Sequence, residues 1–324
     1  MPALPRWNSA RKHSRKHSER KEDMQHTDDS AAPVCLPPLA RASRPRQPLP
    51  ANATDCHCHV YQDFDRYPLN AQRSYTPAPA TLEQYAAMCE QVGIQRTVQV
   101  SASVYGTDNS LTLAVIAALG QQRARGVAGL AADVTAADLD RLHAGGMRGV
   151  RLSTHVKGYG GTAGLAAMAE RIRPYGWHVQ VHVADIAELV PLQDTLLRAA
   201  APLVFDHLGA VRGGQGVDHP GFQALLRILR ERDDCWVKIS SWYRRSDSGA
   251  PGYADMAPIV AALVETRPDR LVFGTNWPHP ALFAPSAVPD DGHLIDRFCD
   301  WVPDAEARER ILVRNPARLY GFEE

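Results

Sequence analysis

From residue 52 onward, short runs rich in β-branched and aromatic residues alternate with longer stretches whose apolar residues recur every three or four positions. The short runs are 53–61, 97–104, 127–133, 148–153, 178–183, 203–207, 236–240 and 271–276. Between them lie amphipathic stretches over 81–92, 110–122, 136–144, 165–175, 186–199, 221–232 and 256–266. Strand then helix, repeated, calls for a parallel sheet covered by helices. Eight such units in about 270 residues match a closed barrel better than an open doubly wound sheet, and no Gly-rich phosphate turn follows the first run. The predicted fold class is α/β, a single (β/α)8 TIM barrel over residues 51–324.

The first fifty residues break the pattern. Arg11, Lys12, Arg15 and Lys16 make a basic cluster, and residues 33–50 are rich in proline and arginine with little periodicity. Residues 1–50 therefore read as a flexible, disordered extension whose removal leaves folding and activity unchanged. It lacks the apolar centre of a secretory signal. Lys+Arg and Asp+Glu balance at 36 each, so no global field steers the chain toward nucleic acid or anionic lipid. No apolar run reaches the length of a membrane span. The six cysteines are scattered without a Cys-x-x-Cys pair, which suits a reducing cytoplasm.

A barrel of this kind gathers its chemistry at the carboxyl ends of its strands, and polar groups recur there. His57 and His59 end the first run, and strand alternation puts both on one face with Cys56, Cys58 and Val60 on the other. Alone, such a pair reads equally as two satisfied histidines at a polar boundary. Further along, His182 ends the fifth run, His207 the sixth and Asn276 the eighth, with His279 just beyond. Arg151 ends the fourth run and is placed to pair with a substrate carboxylate, its plainer reading being a surface ion pair. Asp206 alternates away from His207 and reads as structural, and Lys238 shares an inward face with Trp236 and Ser240. Asp108 and Asn109 read as a helix cap, and Asp133 as part of a turn.

Six strings then fall in order over residues 52–322: Asp55-Cys56-His57-Cys58-His59-Val60, Arg73-Ser74-Tyr75-Thr76-Pro77, Gly106-Thr107-Asp108-Asn109, Phe205-Asp206-His207-Leu208-Gly209, Trp242-Tyr243-Arg244 and Gly274-Thr275-Asn276-Trp277-Pro278-His279. Together with the closing Asn315-Pro316-Ala317-Arg318, they resemble the amidohydrolase superfamily, in the subgroup that contains 2-pyrone-4,6-dicarboxylate lactonase. The resemblance implies an enzyme that opens a small carboxylated lactone by water attack, with a small anionic molecule as its partner. It implies His207, Asn276, His57 and His59 as catalytic groups and Arg151, Arg244, Tyr75, Tyr243 and His279 as substrate contacts. A divalent metal, zinc or manganese, would sit on His57, His59 and His182; a metal-free route with His207 as base fits the same residues.

Two departures stand out. Asn276 occupies a position where the subgroup often has aspartate, and an amide takes up no proton at neutral pH. Ala210 stands where an arginine is expected after His207, with Arg212 further on. These leave a lactone isomerase, a metal-dependent decarboxylase and a non-catalytic barrel that binds an acidic metabolite as alternatives. Asp290 or Asp291, in the loop after the eighth run, would be the carboxylate able to replace the missing one.

Overall fold

A computed structural model describes residues 32–284 and 287–323. Eight parallel strands follow one another around the sheet in chain order: β1 Thr54–Cys58, β2 Arg96–Val100, β3 Ala124–Ala128, β4 Met147–Ser153, β5 His178–His182, β6 Leu203–Phe205, β7 Cys235–Ser240 and β8 Leu271–Gly274. The helices between them are α1 Leu82–Val92, α2 Ser110–Leu119, α3 Ala136–Ala144, α4 Leu165–Ile172, α5 Leu189–Leu197, α6 Pro220–Glu231 and α7 Ala257–Thr266, with α8 Asp291–Trp301 following β8. This is the (β/α)8 TIM barrel that the periodicity predicts, with each strand present. Among the described residues no helix is long and apolar enough to cross a membrane.

Both faces of each strand are buried, as a parallel sheet covered by helices requires. On β5, Val179 and Val181 join the layer beneath the helices, whereas Gln180 points inward to Lys238 and Asp206. The floor of the barrel is apolar: Cys56, Val98, Val204, Trp236 and Val272 pack with Tyr320 and Phe322 from the chain's end. Arg125 fastens that end by donating from Nε to the Tyr320 carbonyl at 3.1 Å and from Nη2 to that of Gly321 at 2.7 Å. The lower half of the lumen is therefore a plugged core, and open chemistry is confined to the upper end.

The barrel closes through its functional segments. Asn276 N donates to His57 O at 2.7 Å and His59 N to Trp277 O at 2.8 Å, joining β8 to β1. The joint is held by Asp55, whose buried carboxylate accepts from His57 N and Thr275 N, both at 3.0 Å, from Thr275 Oγ1 at 2.6 Å and from Tyr85 OH at 2.9 Å. Its grip on His57 N accompanies a bulge: Asp55 pairs with Thr97 but Cys58 with Gln99, so β1 carries one residue more than β2. Strict alternation fails there. Cys56 points into the lumen instead of lying with Cys58 on the helix side, and His57 remains inside.

One further expectation is corrected. Asn109 does not cap α2: its side chain accepts from Ser101 Oγ at 2.7 Å and Gly129 N at 3.0 Å, tying the end of β2 to that of β3. Asp108 makes the turn instead, accepting from Ser110 N at 2.8 Å, and Asp133 sits exposed in a turn as expected.

The supposed extension also behaves differently over residues 32–50. Cys35 and Ala42 are buried, and Cys35 N and Thr76 N exchange hydrogen bonds of 2.8 Å with the Thr76 and Pro33 carbonyls. Ser43 N donates to both carboxylate oxygens of Asp290, and Arg46 N donates to Asp296 Oδ1 at 2.8 Å. Proline removes periodicity without removing contacts, so this strap over α8 and the loop before α1 has no helical or strand signature. Residues 1–31 lie outside the described part of the chain.

A chain starting at residue 51 should therefore be less stable than one starting at residue 32 by about 2–4 kcal/mol, from lost apolar burial and hydrogen bonds. Thermal melts of the two should differ by several degrees, about 2–4 °C per kcal/mol. Superimposable melts would show that the strap contributes nothing.

Candidate active site

The upper ends of the strands bring His59, Tyr75, Arg151, His182, His207 and Asn276 around one cleft. Several of these groups are aimed by left-handed backbone that only a well-supported turn holds, with φ of 52° at His207, 58° at Ser241, 60° at Asn276 and 63° at His279. The turn at His207 explains an error of parity. After β6, Val204 and Asp206 face the lumen, and the positive φ of the next residue turns His207 inward as well. Asp206 is thus not set aside from the site but forms its base.

The Asp206 carboxylate is fully buried and meets groups from four other strands. Its Oδ1 lies 3.2 Å from His57 Nδ1 and 3.6 Å from Lys238 Nζ, and its Oδ2 accepts from Arg151 Nε at 2.7 Å and Gln180 Nε2 at 2.9 Å. Lys238 Nζ also donates to Gln180 Oε1 at 2.6 Å. Burial alone would push the Asp206 carboxyl up, but Arg151, His57 and Lys238 outweigh it and hold it well below the usual carboxylate range. Arg151 is the partner of this carboxylate rather than a surface ion pair, and its guanidinium also lies 5.3 Å over the Tyr159 ring.

The four imidazoles above are neutral. Burial depresses each most, with added positive charge from Lys238 at His57 and from Arg151 at His59, His182 and His207; His59 falls to about 3. Their hydrogen-bond partners assign the protons. His57 Nδ1 lies 3.2 Å from Asp206 Oδ1 and 3.4 Å from Lys238 Nζ, and its Nε2 is buried and without a partner. His59 Nδ1 faces the Val100 carbonyl at 2.8 Å and must donate. At His182 the polarity reverses, because Ser153 Oγ already accepts from His155 N and Val156 N and gives its hydrogen to His182 Nδ1 at 3.1 Å. His182 therefore carries its proton on Nε2. His207 Nδ1 pairs with Ser240 Oγ at 2.8 Å.

These assignments bear on a metal. The donor atoms brought within 4.8 Å of one another belong to His57, Asp206 and His207, not to His57, His59 and His182. In the first set, the carboxylate is already matched by Arg151 and Lys238, and Lys238 Nζ stands 3.4 Å from His57 Nδ1, so a dication would enter a buried cluster of net positive charge. In the second, the free nitrogen of His182 bears a hydrogen. Neither arrangement fits a divalent ion.

The remaining sequence-predicted groups divide. Tyr75 lines the cleft, with its hydroxyl 3.0 Å from that of Tyr61. Arg244 lines it too, but its guanidinium is committed to the Pro280 and Ala281 carbonyls and lies 5.3 Å over the Tyr243 ring. Tyr243 and His279 stand behind Asn276 instead of on the cleft wall. Burial raises the Tyr243 phenol, but His279 and Arg244 bring it down to about 8; burial lowers His279, but Tyr243 and Asp291 bring it up to about 9. Asp290 caps α8 through Gly292 N and His293 N, away from the chemistry, whereas Asp291 reaches His279 at 3.3 Å. Two groups escaped the sequence reading: His155, whose ring is 5.1 Å from that of His182, and Arg245, which lines the cleft with a buried, unpartnered Nε. Both lie in loops without periodicity, where sequence offers no cue to orientation.

The model of a family described as amidohydrolase matches residues 54–322. The chain belongs to this amidohydrolase family. It is 36% identical to a 4-sulfomuconolactone hydrolase of Rhizobium radiobacter, over 91% of this chain and 98% of that protein. A 2-pyrone-4,6-dicarboxylate hydrolase of Comamonas testosteroni is 35% identical, over 88% and 95%. A D-galactarolactone isomerase of Agrobacterium fabrum is 32% identical, over 85% and 93%. An apo crystal structure from Agrobacterium tumefaciens superposes with a TM-score of 0.80 at 31% identity, covering 88% of this chain and 99% of that one. The amidohydrolase barrel here is an enzyme whose relatives hydrolyse lactone esters.

The neutral imidazoles give this amidohydrolase a specific acid response. His57, His59, His182 and His207, with His178 beneath them pushed down to about 3 by burial, take up protons on unfolding but not while folded. Below the unfolded value of about 6.5, the unfolded chain binds more protons, so stability is complete above that pH and falls as pH drops toward 3, by up to about 1.4 kcal/mol per pH unit for each histidine. Urea unfolding measured from pH 7.5 to 5 should show this steepening below 6.5. A flat profile across that range would mean that these imidazoles are already charged in the folded protein.

Proposed function

We propose that this amidohydrolase opens a small lactone carrying carboxylates, by attack of water at the ring carbonyl and without a metal. The observation that supports it most is His57, set against Asp206, with its partnerless Nε2 buried beside His207 at a ring separation of 4.6 Å, under a cleft edged by Arg151, Arg244 and Arg245. Guanidinium groups suit a carboxylated ring. The carbonyl oxygen gains charge as water attacks, and the His182 Nε2 hydrogen offers a donor for it. His207, neutral and facing the cleft, takes the proton from water while Ser240 Oγ holds its Nδ1 at 2.8 Å. The ring C–O bond then breaks and its oxygen recovers that proton from His207. Asn276 orients the nucleophile without removing its proton.

The lack of a base at Asn276 favours a second reading, in which the ring is rearranged with no net uptake of water; the 32% identical isomerase carries the same weight toward it. Purified protein assayed against a panel of carboxylated lactones in [18O]water separates the two. Hydrolysis releases one proton and fixes one labelled oxygen in a ring-opened acid, whereas isomerisation yields a second lactone free of label. Chelators should leave turnover within about two-fold, since no metal supplies the nucleophile. His207→Gln should lower kcat by about 10²–10⁴. Full inhibition by chelators reversed by zinc or manganese would overturn the metal-free route.

A further inference from the structure

Behind the cleft, four buried or half-buried groups stand in single file. Asp291 lies 3.3 Å from His279 Nε2, His279 Nδ1 lies 2.9 Å from Tyr243 OH, and Tyr243 OH lies 2.9 Å from Asn276 Nδ2. The same Asn276 nitrogen donates to Ser241 Oγ at 3.0 Å. Only Asn276 of the four lines the cleft. Its backbone is fixed independently, by its N–H on the His57 carbonyl and its carbonyl on His279 N, both at 2.7 Å.

We propose that Asp291, His279 and Tyr243 form a positioning relay that dictates which way round the Asn276 amide sits, so that the cleft meets its carbonyl oxygen and not its NH2. The direction propagates from one end. An ionised carboxylate only accepts, so Asp291 requires a hydrogen on His279 Nε2. Once the pair has lost a proton, above about pH 8, His279 Nδ1 and the Tyr243 oxygen share the remaining one: either the phenol donates to a bare Nδ1, or Nδ1 donates to a phenolate. In both cases the Tyr243 oxygen has lone pairs to offer on its other side and no hydrogen. The Asn276 group facing it must be the NH2, and with the second hydrogen held by Ser241 both amide hydrogens are spent away from the cleft. Only Oδ1 remains to face a ligand. Asn276 is thereby an acceptor that can hold the hydrogen of a water or hydroxyl nucleophile, and not a donor to a developing oxyanion.

The relay is a property of the folded protein; its kinetic consequence rests on the lactone-opening reading above, and the test separates the two. Protein labelled with 15N at asparagine is assigned for Asn276 by the signal missing in Asn276→Ala, with no substrate present and at about pH 8.5, above the Tyr243 value. The side-chain NH2 should exchange with solvent slowly in the parent protein. In Tyr243→Phe, which keeps the ring and removes the acceptor, exchange should quicken at least about ten-fold. Asp291→Asn, which can donate to His279 Nε2 and reverse the chain, should do the same, and Asp291→Glu should restore slow exchange. Unchanged exchange in both Tyr243→Phe and Asp291→Asn would overturn the relay whether or not any lactone is turned over.

With an accepted substrate, Asp291→Asn should lower kcat about 10–100-fold with KM nearly unchanged, as removal of an orienting partner does. In an Asn276→Ala background the same substitution should have no further effect. An equal loss in both backgrounds would mean that Asp291 acts on the barrel at large and would overturn the proposal. Altered amide exchange with no lactone turned over would sustain the relay and remove the proposed reaction instead.

Discussion

The upper half of this barrel depends on one buried carboxylate. Asp206 receives His57 from β1, Arg151 from β4, Gln180 from β5 and Lys238 from β7, so five strands converge on a group the size of two oxygen atoms. Removing two cations and an anion from water is costly, and replacing such a cluster with apolar side chains would often stabilise a protein. Its retention therefore speaks for placement. The cluster holds the His57 ring, keeps Arg151 at the wall of the cleft and leaves positive charge in excess directly beneath the imidazoles. Removing Asp206 alone would strand a lysine and an arginine in the core, which is why no partner in the cluster can be exchanged independently.

That excess charge accounts for two properties that otherwise look unrelated. It adds to the burial that keeps four histidines neutral, since each new proton would join an already cationic interior. It also makes the cleft hospitable to an anion and unwelcoming to a dication. On the proposed metal-free route, the Asp206–Arg151–Lys238 cluster supplies the positive charge near a carbonyl that a catalytic metal would otherwise supply.

What the sequence disclosed follows from which rules are local. The eight runs were legible because a parallel strand buried on both faces leaves a dense apolar signal, and His57, His59, Arg151, His182, His207 and Asn276 were legible because strand ends in a barrel share one rim. Parity failed wherever the backbone departed from it: at the β1 bulge, which turned Cys56 inward, and at the positive φ of His207, which let two consecutive residues face the site. Neither departure leaves a local mark, since both are held by tertiary contacts, the first by Asp55 reaching Thr275 across the barrel seam. The strap over residues 32–50 was missed for the converse reason, because its order comes from partners such as Asp290 and Asp296 that lie about 250 positions away in the chain.

Asn276 reads differently once these constraints are combined. A carboxylate at that position could remove a proton from water, but it would also place a negative charge on a wall edged by Arg151, Arg244 and Arg245 and oppose their field. An amide gives up basicity and keeps the field of the cleft intact. Its weakness is that an amide has two faces of nearly equal size, one a donor and one an acceptor, and an unsupported one samples both. A half-buried Tyr243 backed by His279 and Asp291 removes that ambiguity with groups that stand off the cleft wall. The charge needed to orient the site is thus kept one layer behind it, where a protein–protein hydrogen bond transmits its direction while two intervening side chains screen its sign from the substrate.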